Sequence, residues 1–135
     1  MAPLEKVSLF SQLPPEQLAA LQQAVRERRF TAGEPIFREG DAGDGMYVIK
    51  SGRVELAARL NDAGESRVFA CEGPGAYFGE MAMVDNQPRS ASAIAREETT
   101  AWFIPRESLL AVMGQSPAFL SGLMQGITQR LREFN

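Results

Sequence analysis

The chain has 135 residues, 44% of them apolar and 23% charged, which suits one globular domain with a substantial core. A net charge of −3 and a pI near 5.0 speak against direct nucleic-acid binding, which needs a basic face. With no histidine in the chain, a Ser/His/Asp triad, a histidine-ligated zinc site and a histidine general base are all excluded.

The single cysteine, Cys71, rules out an internal disulfide and agrees with a reducing, cytoplasmic setting. No apolar run approaches the roughly 18 residues of a membrane span, and the N-terminal residues lack the apolar region of a signal peptide. Val7, Leu9 and Phe10 read as a short helix. Leu13-Pro14-Pro15-Glu16 leads into a second, with proline in its first turn and Leu18, Leu21 and Val25 at helical spacing. Residues 7–28 are therefore expected to be helical.

The texture changes at Arg29. Phe30-Thr31, the turn Ala32-Gly33-Glu34 and Pro35-Ile36-Phe37 suggest a tight hairpin. Residues 38–45, with three glycines and two aspartates, read as a loop. Met46 to Ile49 is a short apolar strand, and Ser51-Gly52 turns it into a second, in which Val54, Leu56 and Ala58 alternate with charged residues. A turn at 61–65 leads into Ser66 to Cys71, and Ser92–Ala95 and Thr99–Ile104 read as two further strands. Gly33, Gly40, Gly43, Gly45 and Gly52 are read as turn formers. After Pro105, helical periodicity returns in residues 106–113 and again in 117–134, with Leu120, Leu123, Met124, Ile127 and Leu131. The expected fold is mainly β with flanking helices: an antiparallel β-roll or jelly roll, a double-stranded β-helix, over 29–104, with helices at 7–28 and 105–134 making a single domain of 1–135.

One stretch stands apart. Phe78-Gly79-Glu80-Met81-Ala82-Met83 is followed by a turn-like spacer and then by Arg89-Ser90-Ala91-Ser92. A glycine and a carboxylate at one end, with an arginine and a hydroxyl at the other, suit a ligand carrying both a phosphate and a hydroxyl. A guanidinium offers two parallel donors to phosphate oxygens. A glycine permits close approach of a ligand to the backbone. A carboxylate beside a phosphate is repulsive unless a cation neutralises it, so Glu80 and Arg89 are expected to act as a pair.

Two signatures together resemble the cyclic nucleotide-binding domain family. The first is Ile36-Phe37-Arg38-Glu39-Gly40-Asp41-Ala42-Gly43 followed by Met46-Tyr47-Val48-Ile49 and Gly52, with Phe37 as its one departure from the usual Val, Ile or Cys. The second is 78–92, which is similar to the family's phosphate-binding cassette at every motif position. The resemblance implies that Arg89 pairs with a cyclic phosphate, that amides of the helix opening at Gly79, including that of Ala82, face the same phosphate, and that Glu80 accepts from the ribose 2′-hydroxyl. Phe78, Met81, Ser90 and Ala91 belong to the same implied set. Leu56 and Phe69 would wall the base, and Leu131 or Phe134 would cap it from the last helix.

On this reading the chain is a regulatory sensor for cyclic AMP, or else cyclic GMP, and signals by movement of its C-terminal helix to an effector domain or partner protein. It is not an enzyme, and it has no metal site or further cofactor. The alternative is a fold of this type that binds no nucleotide and serves as an interaction module. The last helix also allows a homodimer, and Gly122 and Gly126 on it weaken helix propensity and equally permit close packing. The chain stops before a helix-turn-helix could start, so it reads as a stand-alone sensor or as a piece of a transcription factor, channel or kinase.

Overall fold

Met46, Tyr47, Val48 and Ile49 are all buried, because strand β3 (Gly45–Ser51) has a packed surface on both sides. Met46 and Val48 face a helical layer, while Tyr47 and Ile49 face a second sheet. This explains why the run reads as continuously apolar instead of alternating. The computed structural model describes residues 4–11, 13–61 and 63–134, apart from the side chains of 5, 131, 133 and 134.

Two 3-10 turns, Leu4–Lys6 and Ser8–Phe10, precede helix α1 (Pro15–Ala24). The remaining strands are β1 (Arg26–Phe30), β2 (Pro35–Phe37), β4 (Val54–Arg59), β5 (Ser66–Glu72), β6 (Tyr77–Phe78), β7 (Ser92–Ala95) and β8 (Thr99–Pro105). Helix α2 (Met81–Asp85) interrupts them, and α3 (Arg106–Gln115) and α4 (Pro117–Phe134) follow. The strands form two antiparallel four-stranded sheets, ordered β1-β8-β3-β6 and β2-β7-β4-β5. The result is the expected β-roll between helices.

Two expectations about the N-terminal half are corrected. The helical pattern does not reach residue 28: Val25 is already extended, and Arg26–Phe30 pairs with β8 from Phe103 to Thr99. The strand escapes sequence reading because an arginine fills an inward position. Arg28 lays its guanidinium 3.7 Å from the centre of the Phe103 ring and donates to the Tyr47 hydroxyl at 2.9 Å. Nor do residues 30–37 form a hairpin, since β1 and β2 lie in different sheets. Consecutive strands mostly cross between sheets, and β4 with β5 is the pair that folds back on itself.

The glycines divide as well. Gly33, Gly40 and Gly52 have φ of 88°, 94° and 99° and form turns as expected. Gly43 and Gly45 do not need positive φ. A methyl group on Gly43 would strike Ala82 of α2, and one on Gly45 would strike the Ile104 carbonyl and the Phe103 ring. Their smallness lets the 38–45 loop lie against α2 and β8.

The helical layer packs on the outer face of the β3-containing sheet. Phe119, Leu123 and Ile127 of α4 are its buried row, and Phe119 stacks on Phe10 at 5.6 Å. Met124 is 44% exposed and lies off that row, which leaves a second apolar position facing outward. No helix among the described residues is long and apolar enough to cross a membrane.

Candidate functional site

The cassette begins with a forced geometry. Gly79 has φ +85°, and a Cβ there would stand 2.7 Å from Nη1 of Arg89. The residue must therefore be glycine both for conformation and for space. Glu80 occupies the N-cap of α2, and its carbonyl accepts from the Met83 amide at 3.0 Å, which leaves the Met81 and Ala82 amides at the open end of the helix. The turn after α2 closes on Asn86 in the left-handed region, and the chain returns through Arg89 to β7.

Arg89 is buried, with a side chain only 2% exposed, and protein oxygens hold its tip. Nη1 donates to the Gly79 carbonyl at 2.7 Å, and Nη2 donates to the Gly45 carbonyl at 2.6 Å and to Asp44 Oδ1 at 3.1 Å. Asp44 is largely exposed, so this carboxylate holds the arginine from the solvent side. Nε of Arg89 is buried without a hydrogen-bond partner among the described residues. Burial pushes the guanidinium below its usual range, and Asp44, Tyr47 and Glu80 counter the shift. A buried cation with a free donor is a strong site for an anion.

Glu80 and Arg89 line one cavity, but the cation that touches Glu80 is a different one. The Glu80 carboxylate is held by Arg130 of α4, whose Nη1 lies 3.0 Å from Oε1 and 3.2 Å from Oε2. Nη2 of Arg130 donates to the Tyr77 carbonyl at 2.9 Å and lies 3.8 Å from Glu72. Burial pushes the Glu80 carboxyl above the usual range and outweighs the lowering by Arg130 and, more weakly, by Arg89. No sequence signal marked Arg130, because its partner lies 50 residues away and only the docking of α4 brings them together.

Two cavities adjoin across Arg130, of about 180 and 290 Å³. The smaller one collects the convergent groups and is the candidate site. Gly79, Glu80, Met81 and Ala82 line one side of it, and Arg89, Ser90 and Ala91 another. Leu56 and Phe69, expected to form a wall, also line it, joined by Ala58 and Phe37. Phe78 does not. It is wholly buried between the sheets and stacks on Tyr47 at 5.4 Å, because the strand alternation turns it away from the cleft. The side chains of Leu131 and Phe134 lie outside the described residues. Asp44, Phe37 and Arg130 were missed as site residues. Asp44 sits in a stretch whose glycines and aspartates made a sufficient account as turn formers. Among the described residues, no cluster of acids and cysteine could hold a metal ion.

Residues 27–116 match the family described as the cyclic nucleotide-binding domain. The chain belongs to that family. It is similar to the Cyclic AMP receptor protein of Thermus thermophilus, with 38% identity over 93% of this chain and 57% of the relative. The crystal structure of the Thermus thermophilus catabolite activator protein superposes with a TM-score of 0.80 at 38% identity, over 93% of this chain and 58% of that one. A cGMP-dependent protein kinase of Plasmodium berghei is 37% identical over 82% of this chain, which is 12% of the kinase. The chain thus spans less than three-fifths of the length of these proteins.

Proposed function

We propose that the chain is a cyclic-mononucleotide sensor that prefers cyclic AMP and reports occupancy through α4. The observation that carries this is the buried Arg89, whose Nε has no hydrogen-bond partner among the described residues and which lines one cavity together with Met81 and Ala82 of α2. In this reading Arg89 and the α2 amides, including that of Ala82, take the cyclic phosphate. Glu80 takes the ribose 2′-hydroxyl, and Leu56 and Phe69 pack against the base, with Ser90 and Ala91 at its edge. The preference for cyclic AMP is supported by the similarity to a Cyclic AMP receptor protein over nearly the whole of this chain.

Transmission follows from the Glu80–Arg130 pair. A ribose hydroxyl arriving at Glu80 must share or displace Arg130, and Arg130 is carried by α4. Ligand binding therefore biases the position of that helix, because any group that binds one arrangement better shifts the equilibrium towards it. Leu131, adjacent to Arg130, and Phe134, one turn further on, are the proposed lid over the base. The proposed output is a contact between α4 and an effector domain or partner protein, in a cytoplasmic protein without catalytic activity of its own.

Titration calorimetry with cyclic AMP and cyclic GMP tests the proposal, and absence of heat for both at high micromolar concentration would sink it. One observation favours the second reading, an interaction module without ligand: Glu80 and Arg89 both already have protein partners. Arg130→Ala frees Glu80 and separates the two. If neither the wild type nor this variant binds, the interaction module stands.

A further inference from the structure

We infer that Phe37 is a positioning residue for anion capture: its ring fixes the plane of the Arg89 guanidinium and so sets where the unpaired Nε–H is presented. The three hydrogen bonds of the Arg89 side chain are donated by Nη1 and Nη2, and none by Nε. They fasten the Nη1–Nη2 edge, and rotation of the plane about that edge strains them less than displacement of the tip does. Cζ of the guanidinium lies over the Phe37 ring, 4.0 Å from its centre. A flat aromatic surface at that distance opposes tilting, and its negative face attracts the cation, more strongly where water is excluded.

Phe37 is itself held firmly. Its ring lies 5.8 Å from that of Phe78 and 6.1 Å from that of Tyr47, in tilted contacts. It stands on β2, where the pairing with β7 shifts register between Pro35 and Phe37. Such an irregularity re-aims the side chain that follows it. The fit also extends to Gly79: a methyl group there would lie 3.3 Å from Cε2 of Phe37 as well as 2.7 Å from Nη1 of Arg89. Ring, guanidinium and glycine thus fill one space together. A leucine at 37 would keep much of the volume and lose both the flat surface and the attraction for the cation.

The inference rests on the nucleotide reading only for its ligand, and two measurements keep the questions apart. In calorimetry with cyclic AMP, Phe37→Leu is expected to bind roughly tenfold more weakly than wild type, while Phe37→Tyr, which keeps the ring, stays within about threefold. In urea unfolding of the ligand-free protein, Phe37→Leu, Arg89→Met and the double variant form a cycle. Coupling is expected, with the double variant losing less than the sum of the singles. A Phe37 with no energetic link to Arg89 would give additive losses. Wild-type affinity in Phe37→Leu, or additivity in the cycle, overturns the inference. If wild type gives no heat with either nucleotide, the nucleotide reading fails, and the unfolding cycle still decides whether Phe37 holds Arg89.

Discussion

Arg89 and Glu80 are both buried charges, yet they are held in different ways, and that difference governs what each substitution should do. Arg89 keeps a donor in reserve, so replacing it with alanine removes the proposed partner of an incoming anion. The expected loss in cyclic AMP binding is roughly 2–5 kcal/mol, readable by calorimetry. Glu80 has its ordinary partner within the protein, and burial holds its carboxyl above the usual range. In the folded state it therefore retains a proton at a pH where the unfolded chain has released it. The sign follows: its contribution to stability falls as pH rises from the ordinary carboxylate range through the raised value. Unfolding of wild type and Glu80→Gln across that window should show the wild type losing ground relative to the variant as pH increases. A gap that moves in the wild type's favour would refute this account of Glu80.

At the scale of elements, α4 is set by two glycines that sequence reading treated alike. Gly122 has room, since a methyl group would lie 3.7 Å from Leu9 Cδ1, an ordinary contact. Gly126 has none: a methyl group would collide with the Tyr77 hydroxyl. Gly122→Ala should therefore stabilise the protein by about 0.5–1 kcal/mol through helix propensity. Gly126→Ala should forfeit that gain by pushing α4 away from β6, which carries the carbonyl that Arg130 grips. Denaturant midpoints of the two variants, together with amide exchange along α4, test the contrast. Equal stabilisation by both would show that α4 does not depend on close approach at Tyr77. Arg106 makes a second link between elements: from the start of α3 it donates to the Ala82 carbonyl at 2.9 Å and to Asn86 Oδ1 at 2.7 Å. Its amide also donates to the Asp44 carbonyl at 2.9 Å, so α3 touches both the 38–45 loop and α2.

For the whole molecule, the two cores divide the labour. The inter-sheet core holds Tyr47, Phe78 and Phe103 as a rigid support beneath the cleft, while the helical core seats α4 on the outer face of the sheet. The Glu80–Arg130 contact joins the cleft to that helical layer. A ligand that binds only the folded state raises stability by mass action, so saturating cyclic AMP at about 100 times its Kd should add ~2.7 kcal/mol. The thermal midpoint should rise accordingly in wild type and far less in Arg89→Ala. Protection from amide exchange should also increase in α4 as well as in α2. A ligand effect confined to α2 would leave the midpoint shift intact and would remove α4 from the signalling path.

The linear order of residues determined the class of fold, because strand runs bounded by glycine turns and helical spacing at the two ends are local patterns. It also determined most of the cleft: Gly79, Glu80, Met81, Ala82, Arg89, Ser90 and Ala91 sit within one short stretch, and all of them line the cavity. The two signatures shared with the cyclic nucleotide-binding domains were legible for the same reason. What only the tertiary structure decided was the pairing of charges across distance. Arg130 meets Glu80 across 50 residues and Asp44 meets Arg89 across 45, contacts that depend on the docking of α4 and on Gly43 and Gly45 within the 38–45 loop. Strand β1 was hidden too, because Arg28 occupies an inward position through ring contacts that no periodicity of apolar residues can reveal. A local pattern can announce a phosphate-type site, but which cation neutralises which carboxylate depends on how separate elements pack.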